Sequence, residues 1–223
     1  MKQAKKVLLL VLCAVLLVGA SVAGTVAYLT SQDAVTNTFT VGNVKIELDE
    51  AKVNEDGQYE TDHSNRVKAN EYKLIPGMTY IKDPTVTVKA GSDKAYIRML
   101  VKVENINNLM TVFKDAKYYD ASTGVFLLQN LVGGWDSTIW EYETFYVEGT
   151  TGVYEFRYFA PLDASEEEAD IILDDLFETI TIPGEDVTSA NIDLLKAVRV
   201  VVMAQAIQEA GFENEAAAWA AFK

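Results

Sequence analysis

Two glutamates, Glu141 and Glu143, stand among Trp140, Tyr142 and Phe145. A pair of carboxylates flanking a sugar can divide the work of glycoside hydrolysis, and aromatic rings offer faces on which a sugar stacks. Trp135 would join such a carbohydrate-binding face. The same spacing on a strand simply alternates aromatics toward a core with glutamates toward solvent, which explains the pattern without chemistry. His63 is the one histidine and sits in the polar run Thr61-Asp-His-Ser-Asn65. A metal centre with several histidine or cysteine ligands therefore lacks its parts, and so does a nucleophilic triad. No Gly-x-Ser-x-Gly turn, phosphate-binding glycine loop or His-Glu-x-x-His helix occurs. The stretch Glu166-Glu-Glu-Ala-Asp170 with Asp174-Asp175 has the oxygen ligands calcium prefers, but acidic runs are ordinarily solvated loops. Asn54-Glu-Asp-Gly57 fails as an EF-hand loop because Lys52 and His63 fall at its first and last ligand positions. The expectation is a protein without catalytic residues, metal or cofactor.

The chain that must position these residues has 223 residues, with 19 basic against 33 acidic side chains and a net charge of −14. That balance excludes nucleic-acid binding by phosphate neutralisation and disfavours anionic lipid surfaces. Lys2, Lys5 and Lys6 precede an uncharged apolar run, Val7 to Val18, and small residues follow it. These are the three regions of an export signal. Cleavage is expected after Ala27, leaving Tyr28 first, with Ala23 as the second candidate. The competing reading is a retained anchor, since no charge interrupts Val7 to Leu29. Glycine, serine and threonine dilute its second half, which favours cleavage. Removal takes three lysines and no acidic residue, so the remainder is still more negative. Cys13 is the only cysteine, so the exported part carries no disulfide and its core alone must hold it. Residues 28–223 suffice for one domain with one core.

Alternation dominates behind the signal. Phe39, Val41, Val44, Ile46 and Leu48 share one side of a strand interrupted at Gly42. Residues 52–59 read as a hairpin turning at Asn54–Gly57, and Ile75-Pro-Gly-Met78 as a tight turn. Thr85–Lys89 and Ala95–Val103 are expected to pair as antiparallel strands across Ala90–Asp93. Residues 107–119 suggest a short helix or an irregular excursion. Residues 137–147 and 153–159 form another hairpin, 163–170 an acidic loop and 176–182 a strand stopped by Pro183-Gly184. The valine-rich run 197–208 is expected to be a buried strand, and 213–222 a short helix capped near Asn214. The fold class this predicts is all-β, an antiparallel two-sheet sandwich of jelly-roll type with an N-terminal signal helix.

Gly24-Thr-Val-Ala-Tyr-Leu-Thr-Ser-Gln-Asp33, followed by Asn37-Thr-Phe-Thr-Val-Gly-Asn-Val-Lys-Ile-Glu-Leu48, resembles the TasA/camelysin family of exported Gram-positive proteins. Their signals are processed by a dedicated ER-type (SipW-like) signal peptidase. Leu74–Met78, Tyr96–Val103 and the ending around Ala204–Phe212 and Trp219 look like further family features, while residues 106–141 match none. The resemblance implies a jelly roll serving as a secreted biofilm-matrix or cell-surface fibre subunit. In fibre-forming members the segment freed by signal removal completes the sheet of the next subunit. Here that donor strand would be 28–40, with Tyr28, Val35, Thr38, Phe39 and Val41 as the assembly residues. Implied partners are further copies of the chain, an accessory or anchor protein, and the signal peptidase during export. Membrane contact would come only through the uncleaved signal. The metallopeptidase assignment of camelysin does not carry over, because the ligand set is missing. Rival readings are a membrane-tethered accessory protein that anchors fibres and a carbohydrate-binding sandwich.

Overall fold

The structure, a computed structural model, describes residues 43–60 and 63–222. The expected signal, its cleavage bond at Ala27 and Tyr28, and the donor residues Val35, Thr38, Phe39 and Val41 lie outside them.

In chain order the strands are β1 (Ile46–Ala51), β2 (Arg66–Val67), β3 (Thr79–Ile81), β4 (Thr85–Val88) and β5 (Ala95–Glu104), then β6 (Tyr119–Asp120), β7 (Val125–Phe126) and β8 (Val132–Gly133). They continue with β9 (Trp140–Glu148), β10 (Thr151–Tyr158), β11 (Ile171–Ile172), β12 (Thr179–Thr181) and β13 (Arg199–Gln208). Three short α-helices complete the described chain: α1 (Ile106–Val112), α2 (Ile192–Lys196) and α3 (Glu215–Ala221). One four-stranded sheet has the order β11-β4-β1-β2 and a second β13-β5-β10-β9; β3-β12-β8 and β6-β7 form smaller ones. All pairings are antiparallel.

Strand alternation decides what each large sheet turns inward. Val86 and Val88 of β4 join Ile97, Met99, Val101 and Val103 of β5 and Tyr154 and Phe156 of β10 in one hydrophobic core. Phe113, Phe126, Trp140, Leu176 and Phe177 close it, each at most 1 % exposed. At roughly 1.5–3 kcal/mol per buried large apolar side chain, this cluster is the dominant stabilising contribution.

Local signals translate directly. Val53 bridges Tyr59 around the Asn54 turn, where the Asn54 carboxamide oxygen accepts from the N–H groups of Asp56 and Gln58. Gly57 there has φ +71°, and a Cβ would fall 2.2 Å from Tyr80 Cδ1, so only glycine fits. At Ile75–Met78 the Met78 N–H donates to Ile75 O and Gly77 has φ +83°, the backbone of a type II turn. The β9–β10 hairpin forms as expected, and Asn214 caps α3 by accepting from the Ala217 N–H.

Three expectations are corrected. β4 does not pair with β5: it lies between β1 and β11, whereas β5 lies between β13 and β10. The connecting turn is tied elsewhere, with Gly91 N–H donating to Ala164 O and Asp93 N–H to Asn43 O. The chain therefore crosses from one sheet to the other instead of folding back. β13 is a strand, but not a buried one. It pairs with β5 over ten residues, turning Val200, Val202, Ala204 and Ala206 to the core while its other face stays partly exposed. The expected strand at 176–182 shrinks to Thr179–Thr181, because Leu176 and Phe177 plug the core from irregular backbone.

Candidate functional site

The aromatic–acidic group on β9 is split by the fold. Trp140 is fully buried, its indole N–H donates to Asp174 O (3.0 Å), and its ring meets Tyr158 at 5.1 Å. A side chain so enclosed has no face for a sugar. Glu141 and Glu143 point to solvent, and Glu143 faces the Arg157 guanidinium at 3.4 Å. Tyr142 and Tyr146 keep partial exposure, and Tyr142 rests edge-on against Phe156. The strand is bulged: Tyr142 opposes Phe156 and Thr144 opposes Glu155, leaving Glu143 as the extra residue.

The free edge of β9 is guarded. Ile139 O accepts from the Phe159 N–H on the β10 side, so the next carbonyl, Trp140 O, points outward. That carbonyl is occupied by the Trp135 indole N–H at 2.8 Å. An indole cap, a bulge and the flanking Glu141, Glu143 and Glu148 are devices that keep another chain from adding to a sheet.

His63 is exposed, with its ring 4.0 Å from that of Tyr59. Among the described residues no three His, Cys, Asp or Glu side chains come together in a metal-binding arrangement. The acidic loop ties backbone instead. Asp163 accepts from Ser165 Oγ and N–H, and Asp170 from the Ala90 N–H and Lys89 Nζ, which holds both carboxyls below the usual range. A surface depression of about 420 Å³ between Tyr118, Asn130 and Pro183 carries Lys117 and Glu185 as its charges, so it holds no pair of carboxylates.

The densest polar chemistry lies at the C-terminal end of β1. Arg66 Nε donates to Asp49 (2.8 Å) and its Nη1 to Asp83 (2.6 Å), whose other oxygen accepts from the Ala51 N–H. Beside this network Glu50 is 5 % exposed. Its Oε2 accepts from Lys82 Nζ and its Oε1 from Asn70 Nδ2 (3.0 Å). The second Asn70 Nδ2 hydrogen goes to Ala51 O (2.8 Å), and Asn70 Oδ1 accepts from the Val53 N–H (3.0 Å). The amine also lies 5.9 Å over the Tyr72 ring. Burial, reinforced by Glu50, pushes the Tyr72 phenol well above its ordinary range and keeps it neutral.

Glu50, Asn70 and Lys82 are not among the residues that motif spacing picks out. One signal was present: by the two-residue period Glu50 shares a face with Ile46 and Leu48, an inward position for a charged side chain. No family model matches the chain, and neither a curated protein nor a solved structure matches it.

Proposed function

We propose that this chain is a secreted structural protein, a biofilm-matrix or cell-surface fibre subunit that assembles head to tail by strand addition after residues 1–27 are removed. In this reading the two four-stranded sheets are the layers of a jelly roll, and 28–40 is the strand each subunit gives to the next.

The observation that carries the reading is the clamp ahead of β1. Asn43 N–H donates to Asp93 Oδ2 (3.1 Å), Asn43 Nδ2 donates to Gly91 O (2.6 Å), and the Asp93 N–H donates to Asn43 O (3.0 Å). Lys45 N–H adds a bond to Ser92 Oγ. The fold from Val44 onward is thereby anchored at its first residues. A preceding segment rich in β-formers, Tyr28, Val35, Thr36, Thr38 and Phe39, can be given to a neighbour without loosening β1. The guarded edge of β9 supports the same reading, since a protein that assembles through one chosen edge must block the others.

Negative-stain electron microscopy of residues 28–223 beside residues 38–223 tests the proposal. Filaments from the first and separate particles from the second are expected. Separate particles from both would overturn intrinsic assembly and bring the tethered accessory role forward.

A further inference from the structure

We propose that Lys82 and Asn70 are joined by an amide bond between their side chains, formed by the protein itself with Glu50 as the proton carrier. The parts of such a reaction are an amine nucleophile, a carboxamide electrophile, a group that moves protons between them, and a donor for the oxyanion. All four meet here. Lys82 Nζ and Asn70 Nδ2 are bound to the two oxygens of one carboxylate, Glu50, and the Val53 N–H holds Asn70 Oδ1 at 3.0 Å. The carboxamide cannot turn, since both Nδ2 hydrogens and Oδ1 are engaged.

The side chains of Glu50 and Lys82 are 6 % and 12 % exposed, so the carboxylate and the amine meet out of bulk water and in direct contact. Asp83, the other carboxylate next to Lys82 in sequence, is already paired with Arg66, so Lys82 has Glu50 as its base. Lys82 Nζ passes a proton to Glu50 Oε2 and the freed electron pair attacks Asn70 Cγ. The new C–N bond places negative charge on Oδ1, where the Val53 N–H stabilises it. Glu50 then gives its proton to Nδ2 and accepts the second proton from Nζ. The C–Nδ2 bond breaks, the carbonyl re-forms and ammonia leaves, taking a proton from Glu50 to depart as ammonium. Glu50 ends as it began, a carboxylate. No oxidant or co-reactant is needed.

The bond would close a covalent loop around the Pro76–Gly77 turn beside the end of β1. That is the kind of covalent support an exported chain with no cysteine beyond Cys13 cannot obtain from a disulfide. The proposal does not depend on assembly, because the bond lies within one subunit.

Tryptic peptide mapping of the folded full chain by mass spectrometry is the test. Asn70 lies in peptide 69–73, and a modified Lys82 blocks cleavage there. The expected species is peptide 69–73 joined to 74–89 with the loss of one ammonia. Lys82→Arg keeps a cation opposite Glu50 and should release 69–73 as a separate, unmodified peptide. Glu50→Gln should do the same, and circular dichroism checks that both variants remain folded. Peptides 69–73 and 74–82 recovered separately from the unsubstituted protein, with Asn70 intact or hydrolysed to aspartate, would overturn the proposal.

Discussion

Glu50 and Glu155 are equally withdrawn from water, at 5 % exposure each, yet they face different chemistry. Glu155 sits on the outer face of the β13-β5-β10-β9 sheet beneath α3. It accepts from Arg98 Nη1 (3.2 Å) and Arg157 Nε (2.8 Å). Register places Gln205, Arg98 and Arg157 in one row across three strands, and Arg98 Nε donates to Gln205. The Arg98 guanidinium stacks 4.2 Å over the Trp219 ring, and the Trp219 N–H donates to Glu215. Guanidinium groups hold their protons under all ordinary conditions, so this cluster is a fixed ionic lock that seats the C-terminal helix. Glu50 instead faces an amine, a nucleophile, and a carboxamide, which an amine can attack. Burial alone does not distinguish a structural acid from a reactive one. The partners do.

Glu155→Ala takes the carboxylate from the part-buried Arg98 guanidinium, while Arg157 keeps Glu143 at 3.4 Å, and should cost about 3 kcal/mol in urea-induced unfolding. A loss below about 1 kcal/mol would mean that water already reaches the cluster. A subtler probe is Arg98→Lys, which puts an amine beside Glu155 and near the Gln205 carboxamide. Loss of the stacked guanidinium should cost about 1–2 kcal/mol. Peptide mapping should show no loss of ammonia, because Glu155 holds no carboxamide in place. A cross-link there would show that proximity suffices without a bridging carboxylate.

Asp175 is the third member of the series. Its Oδ2 is buried with no hydrogen-bond partner among the described residues. Burial, with Glu178, Asp83 and Asp174 nearby, raises its pKa. A carboxyl whose folded pKa is raised binds its proton more tightly in the folded state, so it subtracts stability as pH rises above the unfolded value. Asp175→Asn should therefore stabilise the protein near neutral pH by about 1 kcal/mol and have little effect in acid. Thermal unfolding across pH would reveal it.

The smallest effect belongs to the half-buried Glu47. Hydrogen bonds from Lys68 and then Lys89 lower its pKa from 4.5 to about 2. Its contribution is present above the unfolded pKa and is lost as pH falls through about 2. The difference between the protein and Glu47→Gln should shrink over that window, and added salt should shrink it further.

The turns at Asn54–Gly57 and Ile75–Met78, the β9–β10 hairpin and the Asn214 cap were legible because each depends on a few adjacent residues. Alternation likewise told which residues of β4 and β5 turn inward. It could not tell their partners, since a strand with one apolar face fits any neighbour of matching register. The Glu50 cluster was hidden for the same reason, apart from the inward position of Glu50 itself. Asn70 and Lys82 lie on opposite sides of a turn and carry no motif.

The sequence by itself therefore determined the local turns, the inward faces of the strands and the net negative charge, all of which follow from backbone preference, side-chain period and composition. Only the tertiary structure decided that β4 and β5 belong to different sheets, that Trp140 is core, and that a lysine and an asparagine share one buried carboxylate. Those outcomes depend on which distant segments pack together, and the free energy of that choice belongs to the whole core rather than to any stretch of chain.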